Sequence, residues 1–328
     1  MPTTIEYADS QFAVEENETV LDALLRQGVE VPNSCKAGAC QCCMMRAVEG
    51  DIPASAQVGL KPSLKEQGYF LSCSCKPTGD LKLEAPGEGI HFETRIDSLE
   101  DVGASVMRVH LAIPANFRYR SGQFLTLFSP DGIARSYSLA SLPGDGTLEL
   151  HIRKVPGGRM STYIFEQAKP GDVVKIAGPS GECFYTDGDC EQPLLLVGTG
   201  TGLAPLWGII RDALSRGHTG RIVLYHGAVD PSGLYHRDLL KNLAGEFDNF
   251  EYRPCVMRDG DETVTEGAID KIILAEHPNL KGWRSYLCGN PDLVKMLKKK
   301  FFLTGMSMKD IYMDAFIPTA ATTANAAS

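Results

Sequence analysis

Between Cys35 and Cys43 the chain places four cysteines in nine residues, within the stretch SCKAGACQCCM. Three of them, Cys35, Cys40 and Cys43, stand as C-x4-C-x2-C, and Cys73 follows 30 positions after Cys43. Thiolates are soft, anionic donors. Three from one tight loop and one from a distant segment is the ligand pattern of a [2Fe–2S] cluster. A structural zinc site usually shows two close pairs at similar spacing, unlike this asymmetric trio. Gly38 can take positive φ and turn backbone N–H groups toward the sulfurs, where such bonds help set a cluster's potential. Two cysteines complicate the set. Cys42 would break the spacing if it replaced Cys43. Cys75 would share a strand face with Cys73, so either could be the fourth ligand. Outside a ligand set, Cys42 and Cys75 read as buried thiols.

Three further stretches could bind phosphate or a flat ring. Gly198-Thr199-Gly200-Thr201-Gly202-Leu203-Ala204-Pro205 follows the apolar run PLLLV and opens a helical pattern. Strand, glycine loop and helix is the context that holds a nucleotide pyrophosphate on free N–H groups. The spacing is G-x-G-x-G, not the Rossmann G-x-G-x-x-G, and no GK[ST] follows, which excludes a Walker loop. Gly157 and Gly158 precede Arg159, Met160, Ser161 and Thr162. There the glycines admit an anion close to the backbone, although a loop with a Ser N-cap would give the same letters. In Arg135-Ser136-Tyr137-Ser138 an arginine fork could take a phosphate and a tyrosine ring offers a stacking face. Alone, that tetrapeptide is also what an alternating strand produces.

The elements that must carry these residues fall into three blocks, as 328 residues allow. Residues 1–86 read as a hairpin (TTIEYAD, QFAVEEN), a helix (ETVLDALLRQG, with Leu21, Leu24 and Leu25 on one face), the cysteine loop, and short strands in CMMRAVEG, YFLSCSC and LKLEA. One helix wrapped by a small mixed sheet fits. APGEGIH, residues 85–91, reads as a linker. Residues 92–188 are strand-rich with regular turn signals, as in an antiparallel barrel. Residues 193–316 alternate strand and helix, which means a parallel doubly wound sheet. The tail, 317–328, is small and polar and reads as disordered.

The totals exclude some classes. A net charge of −9 lacks the basic stripe of a nucleic-acid binder. No apolar run reaches membrane-span length, and the N-terminus lacks a secretory pattern, so a cytoplasmic protein is expected. Ten cysteines in such a chain point to a metal centre more than to disulfides. Cys183, Cys190, Cys255 and Cys288 are scattered, and so are the seven histidines, none of which is given a catalytic role.

The first block resembles plant-type ferredoxins, and CSCKP matches their C-x3-P, which favours Cys73 over Cys75. The rest resembles the ferredoxin–NADP reductase superfamily. The order of the blocks is similar to that of the reductase components of multicomponent oxygenases, the naphthalene-dioxygenase type above all. This likeness implies a β-grasp ferredoxin domain, an antiparallel β-barrel flavin domain and an α/β nucleotide domain. It also assigns roles. Tyr137 would pack on the isoalloxazine, Arg135 would meet the phosphate, and Ser138 would sit near flavin N5. Gly157, Gly158, Met160, Ser161 and Thr162 match the family's pyrophosphate element, which favours FAD over FMN. Gly178-Pro179-Ser180-Gly181 matches its G-P-x-G turn. Gly198, Gly200, Thr201 and Gly202 match its nucleotide loop. Cys288 and Gly289 match the segment beside the nicotinamide, and Asp314-Ala315-Phe316 matches the terminal acid-x-Phe element, in which many relatives carry Glu. Where many relatives place an arginine after the second strand, this chain has Ala228, Val229 and Asp230. An acidic residue repels a 2′-phosphate and accepts from a ribose hydroxyl, so NADH is the expected donor.

The implied activity is electron transfer from NADH to FAD, to the [2Fe–2S] cluster, and on to a partner oxygenase. Two other readings stay open: the same path serving another acceptor, such as a deoxysugar dehydrase, and a non-enzymatic iron–sulfur sensor. A membrane quinone-reductase subunit is disfavoured by the missing N-terminal span. The first block carries 7 Lys/Arg against 12 Asp/Glu through Pro86, which suggests an acidic surface that meets a basic partner and acts mainly on association rate.

Overall fold

The computed structural model describes residues 3–60, 64–65, 68–84, 91–115, 117–186 and 188–317. The expected linker at 85–91 and the tail from 317 lie outside these residues, apart from His91 and Ile317. The chain divides into two compact units. One holds Met1–Glu93, Phe124–Ser136 and Val174–Ser180, and the other holds Thr94–Gln123, Tyr137–Val173 and Gly181–Ser328.

In the first unit, β1 (Thr4–Tyr7) and β2 (Ser10–Ala13) form an antiparallel hairpin. Ala8 and Asp9 turn it at positive φ, the geometry that suits the twist of paired strands. Helix α1 (Val20–Arg26) starts at Thr19, whose Oγ1 accepts from the Asp22 N–H at 3.1 Å. It stops before Gly28, at φ 83°. Its Leu21 and Leu24 are fully buried, and truncating Leu24 to Ala would cost about 2–5 kcal/mol. Strands β3 (Met44–Glu49), β4 (Tyr69–Leu71) and β5 (Leu81–Glu84) complete a sheet in the order β2-β1-β5-β3-β4. It is mixed: β5 runs parallel to β1 and antiparallel to β3.

One element differs from the sequence reading. YFLSCSC is not a single strand. The strand ends at Leu71, and Ser72–Ser74 form a 3₁₀ turn. Ser72 causes the break, because its N–H and its Oγ both donate to the Cys43 carbonyl, at 3.1 and 2.7 Å. Cys73 therefore sits on a turn, and it shares no strand face with Cys75.

The middle block contributes β6 (His91–Asp101), β7 (Val106–Ala112), β8 (Phe124–Phe128), β9 (Ala134–Ser138), β10 (Thr147–Arg153) and β11 (Val173–Ser180), with α2 (Arg159–Glu166). Its registered pairs are antiparallel: β10 with β7, β6 with β7, and β11 with β8. The sequence does not reveal β6, because only Thr94 and Ile96 of that strand are buried. Its other apolar residues, Phe92 and Leu99, are only half-buried, and Leu99 falls out of the alternation. The G-P-x-G stretch is the irregular end of β11 rather than a free turn.

The last block is the doubly wound sheet. Its strands are β12 (Leu194–Thr199), β13 (Ile222–Ala228), β14 (Phe250–Val256), β15 (Thr265–Glu266), β16 (Arg284–Gly289) and β17 (Ile311–Ala315). The helices are α3 (Leu203–Ser215), α4 (Arg237–Glu246), α5 (Ile269–Glu276) and α6 (Pro291–Leu303). The order is β15-β14-β13-β12-β16-β17, and every pair is parallel. α5, β15 and β17 are not among the elements expected from the sequence. The chain reverses its winding between β12 and β16. Open α/β sheets bind ligands at the carboxyl ends of strands at such a switch point.

Candidate functional site

The cysteine loop leaves α1 and turns back before β3. Lys36, Gly38 and Gln41 all hold positive φ. A Cβ on Gly38 would meet Ser74 Oγ at 2.8 Å, so glycine is required where the loop passes the 3₁₀ turn. This winding aims backbone donors at sulfur. The Ala37 and Cys40 N–H groups donate to Cys35 Sγ at 3.3 and 3.4 Å, and the Cys35 N–H to Cys40 Sγ at 3.5 Å. The four expected ligands come together as two pairs. Backbone donors tie Cys35 and Cys40 to each other, and Ser72, next to Cys73, bonds the Cys43 carbonyl. The bond from Cys43 holds Cys73 below the usual thiol range, helped by Ser74 and the Gly38 backbone, while Cys43 is pushed up. No three ligand-type side chains among the described residues converge as on one ion. Two pairs is instead what a two-iron cluster takes, since each iron needs two thiolates. Cys75 is fully buried in the core of the small sheet, and burial alone pushes its thiol up to about 12.

The expected flavin residues lie on β9, α2 and β17. Arg135 donates through Nη1 to the Ala134 carbonyl at 2.7 Å, and Tyr137 is half-buried on the same strand. At the start of α2 the cap is Gly158, without a side-chain bond; no serine caps the helix. Ser161, in the first turn, accepts from the Val155 N–H at 3.1 Å and donates to the Gly158 carbonyl at 3.0 Å. It fixes the loop rather than the helix end. Gly157 has open space where a Cβ would be, at φ 69°. Met160 and Ser161 are buried, so they offer a ligand their backbone N–H groups, which the first helical turn leaves without intrahelical partners. Thr162 is half-buried.

The terminal element converges on the switch point. Ser138 Oγ donates to Asp314 Oδ2 at 2.8 Å. Desolvation nevertheless dominates and raises the Asp314 carboxyl to about 6. Asp314 pairs in register with Cys288, and the Phe316 N–H donates to the Gly289 carbonyl at 2.8 Å. Cys288 Sγ lies 3.7 Å from Cys183 Sγ, both buried, and burial pushes the Cys288 thiol up.

The glycine loop follows β12 as a 3₁₀ turn, Gly200–Gly202. Its three glycines do different jobs. A Cβ on Gly202 would lie 2.4 Å from the Cys288 carbonyl, and one on Gly198 only 3.0 Å from the Gly202 carbonyl. Those two let the loop meet the β16 end. A Cβ on Gly200, at φ 55°, would meet only Arg153 Nη1, at 3.2 Å. Gly200 therefore faces a guanidinium and otherwise open space. Thr201 is half-buried within the turn.

Three features escape the sequence. Arg153 arrives at the loop from β10, 47 positions before Gly200, and only its cationic type hinted at an anion. Arg258 stands near the end of β13, because its N–H donates to the Val229 carbonyl at 3.1 Å and its charge helps hold the Asp230 carboxyl low. The main cause of that lowering is the Ser232 hydroxyl. A cation thus neighbours Asp230 although none does so in sequence, and it lies 3.7 Å from Asp259. The histidines are not all scattered. His151 bonds Glu149 at 2.7 Å and Tyr235 at 2.9 Å, and the rings of His226 and His236 lie against Tyr235. Burial holds His236 at about 4 and His226 at about 3. Of the ten free thiols, Cys190 is the exposed one.

Comparison with known proteins matches three family models: a 2Fe-2S iron-sulfur cluster binding domain at residues 4–78, an oxidoreductase FAD-binding domain at 93–185, and an oxidoreductase NAD-binding domain at 196–299. The chain is 35% identical to the ferredoxin–NAD(P)+ reductase component of the naphthalene 1,2-dioxygenase system of Pseudomonas putida, covering 91% of this chain and 93% of that one. It is 31% identical to the reductase component of phenol 2-monooxygenase of a Pseudomonas species, over 97% and 94%. Among solved structures, the cytochrome P450 reductase GcoB of Amycolatopsis aligns with a TM-score of 0.70 at 29% identity, over 96% and 99%.

Proposed function

The chain belongs to the family of reductases that join a 2Fe-2S domain to oxidoreductase FAD-binding and NAD-binding domains, and from that premise we propose that it takes electrons from NADH and delivers them to the oxygenase of a multicomponent system. When bound, a flavin would supply hydride acceptance and an iron–sulfur cluster one-electron transfer. What the protein supplies is binding, orientation and electrostatics. Cys35, Cys40, Cys43 and Cys73 would hold the cluster, and the carrying observation is the loop that turns backbone N–H groups onto the Cys35 and Cys40 sulfurs while Ser72, next to Cys73, bonds the Cys43 carbonyl. Arg135, Tyr137, Gly157, Gly158, the N–H groups of Met160 and Ser161, and Thr162, whose own N–H closes the first helical turn on the Gly158 carbonyl at 2.9 Å, would bind FAD. Ser138, Asp314, Phe316 and Cys288, which the Ser138–Asp314 bond and the β16–β17 register bring together, would face the flavin and nicotinamide. Gly198, Gly200, Thr201, Gly202 and Gly289 would receive the nucleotide, and Arg153, beside the open face of Gly200, would supply a cation for its phosphates.

NADH is favoured over NADPH because Asp230, held ionised beside the end of β13, and Asp259, 3.7 Å from Arg258, together offset the neighbouring Arg258 cation and would repel a 2′-phosphate. The oxygenase acceptor is supported by the names of relatives that match over nearly their whole length. We read the domain boundaries as 1–86, 92–188 and 193–316, a reading supported by the family-model matches at 4–78, 93–185 and 196–299. No described helix is long and apolar enough to cross a membrane.

The deciding experiment is an anaerobic titration with NADH, with NADPH as control, followed by visible absorption. Bleaching of both a flavin band and a broad iron–sulfur band is expected. Bleaching of flavin alone would remove the cluster from the reading. Turnover with an added oxygenase component then tests the acceptor.

A further inference from the structure

The cluster reading leaves Cys42 without a task. It lies outside the core that buries Cys75. It is 4% exposed and belongs to a separate apolar cluster with Cys40, Phe128, Ala134 and Ala177, the last three from β8, β9 and β11. Its Sγ is 3.0 Å from Thr126 Oγ1 on β8. Thr126 Oγ1 donates to the Cys40 carbonyl at 3.4 Å and lies 3.2 Å from Ser136 Oγ on β9. Cys42 Sγ is also 3.1 Å from Cys40 Sγ, and 3.9 Å from both the Cys40 carbonyl and Ser136 Oγ. A threonine hydroxyl has one proton and two lone pairs. With its proton on the Cys40 carbonyl and its lone pairs facing Cys42 and Ser136, the buried Thr126 hydroxyl is fully used. In sequence, Ser136 stands between Arg135 and Tyr137. Cys42 lies two residues after one proposed ligand and directly before another, so it cannot shift without moving both.

We propose that Cys42 is a positioning residue: together with the Cys40 carbonyl it seats the cysteine loop on Thr126, and so on the strand pair that carries the flavin residues. This rests on the reading that the loop holds a [2Fe–2S] cluster and β9 binds FAD. The thiol serves because it is free of iron and can still hydrogen-bond. An alanine there leaves a buried hydroxyl short of a partner. A thiol that merely filled space would show no such dependence on hydrogen bonding.

The test uses the iron- and FAD-loaded full chain as wild type, Cys42→Ala, Cys42→Ser and Thr126→Val. Rapid anaerobic mixing with NADH follows the flavin and iron–sulfur bands separately. Hydrogen exchange follows segments 35–43 and 124–136. Losing one net hydrogen bond of about 1 kcal/mol corresponds to a roughly fivefold change. Cys42→Ala is therefore expected to keep its iron, bleach flavin at the wild-type rate, bleach the cluster roughly fivefold more slowly, and exchange faster in both segments. Cys42→Ser restores these properties, and Thr126→Val reproduces the defect from outside the loop. Should Cys42→Ala lose iron, Thr126→Val alone decides. Wild-type cluster bleaching in the variants overturns the proposal. So does a shifted cluster potential with unchanged exchange, because the thiol would then tune the cluster rather than seat it. Flavin bleaching without cluster bleaching in the wild type overturns the cluster reading itself, a result distinct from either.

Discussion

The cysteine loop and the glycine loop are both short, strained turns that present donors to a bound group, yet they are built in opposite ways. In the first, the chemistry is in the side chains, and the backbone bends to serve them. Lys36, Gly38 and Gln41 accept positive φ so that four cysteines come together as two pairs. In the second, the chemistry is in the backbone, and side chains are removed to serve it. Gly198 and Gly202 have no room for a Cβ, while Gly200 keeps an open face beside Arg153. A loop of the first kind fails when a donor changes. One of the second kind fails when an atom is added.

The sharpest way to break this contrast is to change donors. Cys43→Ser or Cys73→Ser is expected to abolish iron binding, read as iron content and loss of the broad visible band, because the pair on one iron is lost. Cys75→Ser is expected to retain iron at reduced stability. Iron retained in Cys73→Ser would reassign the fourth ligand.

Adding an atom comes next. Gly202→Ala forces a methyl to 2.4 Å from the Cys288 carbonyl. Overpacking of this kind costs about 1–3 kcal/mol, and more where backbone must move, so NADH binding measured by flavin reduction should fall sharply. Gly200→Ala meets only a flexible guanidinium and is expected to do less, limited to the cost of its positive φ. Equal losses would dissolve the distinction between the two glycines.

Asp314 tests the meeting point of the two strand ends in the second unit. Its ordinary value is 3.8 and its folded value about 6. Below 3.8 both folded and unfolded chains hold the proton. Between these values the folded chain keeps a proton that the unfolded chain releases, so stability declines as pH rises and is lowest above 6. Asp314→Asn should therefore gain on the order of 3 kcal/mol relative to wild type at pH 8 and little at pH 4, measured by denaturant melts. A constant difference across pH would refute the desolvated carboxyl.

The smallest effect expected is Arg153→Ala. For an exposed side chain such as Arg153, a charge-assisted bond to phosphate sits at the low end of its range, about 1.5 kcal/mol, which predicts a roughly tenfold rise in KM for NADH with kcat little changed. An unchanged KM would leave Gly200's open face without a ligand-directed cation.

The same contrast explains what the sequence could reveal. Side-chain donors at fixed spacing are legible, so the four sulfurs were visible as letters, and the three-block order followed from hydrophobic period. The fourth ligand stayed ambiguous with Cys75 because alternation predicts a strand through Ser72, and no pattern announces that Ser72 will bond the Cys43 carbonyl twice and end it. β6 was hidden because it buries two side chains of eleven. Arg153, Arg258 and the Glu149–His151–Tyr235 cluster are assembled by topology from distant positions, and nothing in their local sequence marks them. The two-residue interval between Cys40 and Cys42 looked like an accident of composition until Thr126 supplied a partner.

Ten cysteines suggest a protein awkward to label, but their burial says otherwise. Cys190 is exposed, Cys35 is intermediate, and the other eight are buried. A thiol-reactive dye should therefore find essentially one fast site on the folded chain, well apart in sequence from every proposed ligand. Such a molecule offers a single-point attachment for a fluorophore or an electrode tether without engineering, and the number of fast-reacting thiols becomes a simple assay for whether a preparation is intact.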